Sequence, residues 1–262
     1  MLYNSKNDIK PDINTTYKSV SGVQLPISVY LPENFDETKK YPTAIVIHGG
    51  GWYAVNPESP AWTGGVMRHN AIYYKNQGFI GITFSYRSIN LSLDTEASDL
   101  ISDCFDALNY IKNNFDFIDE NKVIFMGDSA GGHLALSLIM NLCTPTDLSI
   151  NPQLAVICNP VSDCVCEKWS YCAKSEASRA AVSPLHNIKR VKPKILLIHG
   201  TSDGCVDIND TRKFYEAMEA EGNDIELIEL LERKHAFIVY GYRDSDEQVS
   251  EVHELIDTYI NF

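Results

Sequence analysis

The residues best suited to nucleophilic chemistry are Gly127-Asp128-Ser129-Ala130-Gly131. They form a GxSxG arrangement, a serine set between small neighbours. KVIFMGD (122–128) precedes it and AGGHLALSLIMNL (130–142) follows. The first reads as a buried strand, and the second has helical spacing. A turn that tight between strand and helix lifts the serine Oγ above the sheet. The helix N-terminus then directs free N–H groups and the positive end of its dipole toward developing negative charge. Ser129 is therefore the candidate nucleophile.

A serine nucleophile needs a base. Of seven histidines, His48, His133 and His199 sit at strand ends or inside glycine-rich turns, where bracing is the expected role. His69, His186 and His253 have no supporting pattern. His235 lies between the last strand pattern and the last helical pattern, on a loop at the sheet's C-terminal edge, and is the candidate base. The acid follows KILLIHG (194–200) in HGTSDG. Asp203 is the first choice and Asp207 the competitor. Either would hold the imidazole tautomer and stabilise the imidazolium.

His48-Gly49-Gly50-Gly51-Trp52 ends an earlier strand pattern, TAIVIHGG (43–50). Three consecutive glycines are costly in chain entropy, and make sense where bare backbone must approach a ligand. The N–H groups of Gly50, Gly51 and Ala130 are candidate donors to the oxyanion of a tetrahedral intermediate.

These motifs need a scaffold that brings distant strand ends together. Residues 17–31 alternate as an early, half-exposed strand pair. Apolar strand patterns recur at 43–50, 79–86, 122–128, 154–160, 194–200 and 224–231. Helical patterns occupy 95–114, 130–142, 209–221 and 246–260. In the first of these, Ala97, Ile101, Cys104, Leu108 and Ile111 recur at three- and four-residue steps. Alternating strand and helix predicts an α/β domain with a mainly parallel sheet and helices on both faces. No repeat or linker divides 1–262, so one domain is expected, with 161–193 inserted over the sheet's C-terminal edge as a small cap.

The net charge of −13 disfavours nucleic acid and anionic membranes. No run of about 18 apolar residues suggests a span. The first twenty residues lack a secretory pattern, so a cytoplasmic location is expected. Seven cysteines without a CxxC pair read as free thiols. Cys164, Cys166 and Cys172 cluster, but their spacing fits no zinc pattern, so no metal is expected.

HGGGW, FSYR (84–87), GDSAGGH (127–133), HGTSD (199–203) and KHAF (234–237) occur in this order. Together, over about 20–260, they resemble the α/β-hydrolase esterases near the hormone-sensitive-lipase group. They are similar among these to short carbohydrate esterases of acetylxylan or feruloyl esterase type. SPLHNIKRVKPKILLIHG (183–200) also resembles the approach to the acid in those enzymes. The chain departs from them in having Asp207 after Val206, where proline is common. The resemblance implies an α/β-hydrolase fold, a Ser129–His235–Asp203 triad and an acyl-enzyme, with no cofactor. The expected substrate is a small-molecule or oligosaccharide ester with a short acyl group, acetyl above all. Trp52, Tyr53, Trp62 and Trp169 are the aromatics expected to contact it. Arylformamidases share related motifs, so an amidohydrolase is the alternative. A prolyl-oligopeptidase-class enzyme is disfavoured, as the chain has no room for a propeller domain. A non-enzymatic binding protein is disfavoured because all three triad members are present.

Overall fold

The computed structural model describes residues 9–20, 22–53, 67–89 and 94–262. Among them, eight strands form one sheet. These are β1 (Ile13–Val20), β2 (Val23–Tyr30), β3 (Tyr41–Ile47), β4 (Ile80–Phe84), β5 (Ile118–Asp128), β6 (Leu154–Cys158), β7 (Lys194–Gly200) and β8 (Ile225–Leu230). Their order is β1-β2-β4-β3-β5-β6-β7-β8. β2 pairs antiparallel with both β1 and β4, and every pair from β4 to β8 is parallel.

The central strands are apolar throughout because both of their faces are covered. Along β3, Ile45 and Ile47 join the core on one face, Ala44 and Val46 that on the other. Helices α2 (Ala97–Asn114), α3 (Ala130–Ile139) and α5 (Ile208–Ala220) pack on the first face. Helices α1 (Arg68–Asn76) and α6 (Asp246–Asp257) pack on the second. α4 (Glu176–Val182) lies between β6 and β7. The apolar stripe of α2 is fully buried, and Asp99 Oδ2 accepts the Glu96 N–H at 3.0 Å to cap its start.

The elements differ from expectation mainly at their ends. α3 stops at Ile139 because Asn141 and Cys143 take left-handed conformations (φ 50° and 54°). α6 ends at Asp257 instead of 260. α1 and α4 are additional helices of nine and seven residues. Helices that short depend on tertiary packing and leave little periodic signal. The stretch 161–193 is built from a 3-10 turn at Glu167–Cys172, α4, and a second 3-10 turn at Pro184–His186. Ser175 caps α4 by accepting the Ser178 N–H at 3.0 Å.

Parallel pairing sets the site, because β3, β5, β7 and β8 all run in one direction. Their C-terminal ends share one edge of the sheet, and the loops that leave them share one mouth.

Candidate active site

Ser129 follows β5 directly and starts α3 with φ 56° and ψ −120°, a conformation costly for any residue with a side chain. It is held there from both sides. Its N–H donates to Cys158 O at 2.9 Å, and its carbonyl accepts the His133 N–H at 3.0 Å. A Cβ on Gly127 would lie 2.4 Å from Gly131 O, and one on Gly131 would lie 2.2 Å from Ile47 O. The two motif glycines are thus required by the close approach of turn, helix and β3.

His235 stands on the loop between β8 and α6. Its Nε2 lies 3.0 Å from Ser129 Oγ, and its Nδ1 lies 2.7 Å from Asp203 Oδ2. The network is satisfied when Nδ1 carries the proton, donating to the carboxylate and leaving Nε2 free to accept from the serine. The loop is anchored by Arg233, which pairs with Asp244 at 3.0 Å and Glu251 at 3.1 Å. Ser202 N–H also donates to Arg233 O at 3.0 Å, tying this loop to the one after β7.

Asp203 is the acid in contact with His235. Its Oδ1 accepts the Cys205 and Val206 N–H groups at 2.7 and 2.9 Å. Burial raises its carboxyl pKa. Hydrogen bonds from His199, His235 and the Val206 amide outweigh that and hold it well below the usual carboxylate range. Asp207, the competing acid, instead caps α5, its Oδ1 accepting the Asn209 N–H at 2.9 Å.

Gly50 (φ 116°) and Gly51 (φ 64°) use backbone conformations that glycine tolerates best. Among the described residues neither N–H has a hydrogen-bond acceptor. The Ala130 N–H lies in the first turn of α3, where helical amides have no intrahelical partner. The three amides of the expected oxyanion site therefore border the serine from two loops. Tyr86, within FSYR, steadies that side. Its hydroxyl donates to His48 O at 2.6 Å and its ring stacks on His48 at 4.3 Å. Arg87 of the same motif binds the buried Asp103, its Nε donating to Oδ2 at 2.7 Å.

A cleft of about 430 Å³ opens over Ser129 and His235. Its walls include Met67, Trp169, Tyr171, Val239, Tyr242 and Arg243. Trp169, one of the expected aromatics, borders the cleft. Trp52 does not: it is fully buried and donates from Nε1 to His133 Nδ1 at 3.2 Å. The expectation for Trp52 is corrected to a core role. Its backbone is left-handed (φ 61°), and its ring packs edge-on against His133 and Trp169 at 5.2 and 5.7 Å. His133 in turn donates from Nε2 to Val182 O at 2.8 Å, so the pair ties the glycine loop to the end of α4. Tyr53 is exposed and stacks on Tyr171 at 5.4 Å, beyond the cleft walls. Trp62 lies outside the described residues. Tyr171, in the 3-10 turn, and Tyr242 and Arg243, on the loop after β8, were not singled out from sequence because such short or irregular segments carry no periodicity.

Asp128, beside Ser129, is buried, lines the cleft and accepts from Asn159 Nδ2 at 3.1 Å. Burial pushes its carboxyl up to about 6, against the pull of His235 and the Asn159 hydrogen bond. Among the described residues, no group of three or more His, Cys, Asp or Glu is arranged to hold a metal, and all seven cysteines are free. No helix there is long and apolar enough to cross a membrane.

Comparison with known proteins adds two family matches. The profile of a family described as BD-FAE matches residues 27–142, and that of the prolyl oligopeptidase family matches 166–261. The first segment contains the glycine loop and Ser129, the second Asp203 and His235. Esterase 2 of Thermogutta terrifontis superposes with a TM-score of 0.79 at 25% identity, covering 94% of this chain and 92% of that one. The same esterase has been solved phosphorylated by paraoxon, again at TM-score 0.79 and 25% identity. Among curated proteins, dipeptidyl-peptidase 5 of Schizosaccharomyces pombe is 30% identical over 45% of this chain. The non-reducing polyketide synthase Preu6 of Preussia isomera is 29% identical over 54% of it. The matched part is 18% of the peptidase and 6% of the synthase, so the chain spans a small fraction of these relatives.

Proposed function

On the premise that this chain is a serine esterase of the α/β-hydrolase fold, we propose that it hydrolyses short-acyl carboxylic esters through an acyl-enzyme on Ser129. The observation that carries the reading is the continuous hydrogen-bonded line Ser129 Oγ–His235 Nε2 (3.0 Å) and His235 Nδ1–Asp203 Oδ2 (2.7 Å). His235 takes the Ser129 proton as Oγ forms a bond to the ester carbonyl carbon. The carbonyl oxygen gains the negative charge and sits on the amides of Gly50, Gly51 and Ala130. Collapse breaks the bond to the alcohol oxygen, which receives the proton from His235 Nε2. A water then gives His235 a proton and attacks the acyl carbon. The acid is released, and Ser129 regains its hydrogen from His235. Asp203 stays ionised throughout and stabilises the imidazolium.

Acetyl is the favoured acyl group and a carbohydrate the favoured alcohol. The cleft is modest in size, and Tyr171 in its wall offers an aromatic face suited to a sugar ring. The BD-FAE match over 27–142 favours a feruloyl ester as the second reading. Two measurements test the proposal. Ser129→Ala should abolish turnover and labelling by a fluorophosphonate while the protein remains folded; wild-type labelling of the variant would refute the nucleophile. Comparing kcat/KM for acetate, butyrate, octanoate and feruloyl esters then separates the acyl groups. A steady rise from acetate to octanoate would refute the acetyl preference.

A further inference from the structure

The loop 231–245 that carries His235 also carries cations that the triad does not use. Arg233 is neutralised by Asp244 and Glu251. Lys234 and Arg243 are not: both are exposed, and among the described residues neither forms an ion pair. Arg243 lies over the Tyr242 ring, 5.2 Å from its centroid. It borders the catalytic cleft and also a second groove of about 690 Å³, whose wall includes Lys234, Glu232 and Gln248. Arg243 is thus the hinge between the two spaces. The groove wall sets Arg233, Lys234 and Arg243 against Glu232 and Asp244, a net charge of +1 on a chain of net charge −13, so it is the side of the cleft where an anion is least opposed.

The chemistry says which end of the substrate meets these cations. His235 returns its proton to the departing oxygen, so the alcohol leaves on the His235 side of Ser129. The cations share the histidine's loop. A guanidinium fork pairs with carboxylate or phosphate oxygens through two parallel hydrogen bonds, which neutral hydroxyl groups cannot match.

We infer that the natural ester carries an anionic group, a carboxylate or a phosphate, on its alcohol portion, held by Arg243 with Lys234 along this groove. The inference rests on the esterase reading above and adds the class of alcohol to it. Arg243 is a specificity residue that acts by binding.

The test compares the acetyl esters of 3-hydroxybenzamide, 3-hydroxybenzoate and 3-hydroxyphenyl phosphate with wild type, Arg243→Gln and Lys234→Gln. The wild type should prefer one of the anionic esters by about tenfold in kcat/KM, the scale of one charge-assisted hydrogen bond. The difference should lie in KM and shrink between 0.05 and about 0.5 M salt. Which anionic ester leads identifies carboxylate or phosphate. The anionic-to-neutral ratio should collapse in Arg243→Gln and fall partway in Lys234→Gln. A wild type that hydrolyses all three esters alike would overturn the inference and leave the esterase reading intact. So would a ratio unchanged in Arg243→Gln. Absence of turnover and of fluorophosphonate labelling in the wild type would overturn both.

Discussion

His199 Nε2 lies 3.2 Å from Asp203 Oδ2, so the carboxylate oxygen that holds His235 is shared with a second imidazole. His199 is fully buried, and its Nδ1 lies 2.9 Å from Thr211 Oγ1 on α5. The arrangement closes when Nε2 carries the proton and Nδ1 accepts from the threonine. The acid is thereby locked by four donors, and its free movement is lost before any substrate arrives. Under the proposed mechanism, such preorganisation lets Asp203 orient His235 without a reorganisation cost in each cycle.

That lock makes the two aspartates of the loop separable. Asp203→Asn should lower kcat by about 10⁴, the scale seen for the orienting aspartate in serine proteases. Asp207→Asn should stay near wild type, because asparagine caps a helix as well as aspartate does. Steady-state kinetics on one acetate ester checks both. The opposite ranking would transfer the role of acid to Asp207.

Asp128 gives a pH-dependent stability. Its carboxyl is raised from the ordinary 3.8 to about 6 by burial, so the folded state resists its ionisation. The unfolded chain loses this proton first as pH rises. Wild type therefore loses stability between about pH 4 and 6, then levels off, by at most about 3 kcal/mol. Asp128→Asn does not titrate and keeps an oxygen for Asn159. Its advantage in urea midpoint should be small at pH 4.5 and greatest at pH 8. Equal gaps at both values would refute the buried-charge account. The variant should also turn over more slowly, since an ionised Asp128 favours the His235 imidazolium.

Trp169 is the wall residue most able to limit acyl length, being buried against Trp52 at 5.7 Å and facing the cleft. Trp169→Ala should raise kcat/KM for butyrate relative to acetate by about tenfold or more, as each methylene that finds an apolar pocket gains about 1–3 kcal/mol. An unchanged ratio would place the acyl group elsewhere. Lost packing should also lower stability by about 3–5 kcal/mol, so activity is best compared well below the variant's melting temperature.

Gly131→Ala should be poorly tolerated even though alanine suits helices. Its Cβ would meet two backbone oxygens, Ile47 O at 2.2 Å and His48 O at 2.5 Å. Backbone cannot swing aside as a side chain does, so a loss of about 1–3 kcal/mol or more is expected, with the nucleophile displaced. Thermal denaturation measures the first effect and fluorophosphonate labelling rate the second. Wild-type values for both would show that the turn has room to relax.

Much of this was written in local sequence. Strands buried on both faces show as unbroken apolar runs, and TAIVIHGG and KILLIHG predict β3 and β7 within a few residues. Tight turns need small residues, so Ser129 and the glycine loop are legible from their neighbours alone. The order of strand patterns also puts Asp203 and His235 at the edge that holds Ser129. The tertiary structure decided what depends on side chains from distant segments. It chose between Asp203 and Asp207, because only one carboxylate reaches His235 while the other caps α5. It put Trp52 in the core, packed against His133 and Trp169, and left Trp169 in the cleft, contacts between distant segments that no periodicity reveals. It brought His199 onto the acid and Arg243 to the mouth, since loops without a repeating pattern take their course from what they pack against.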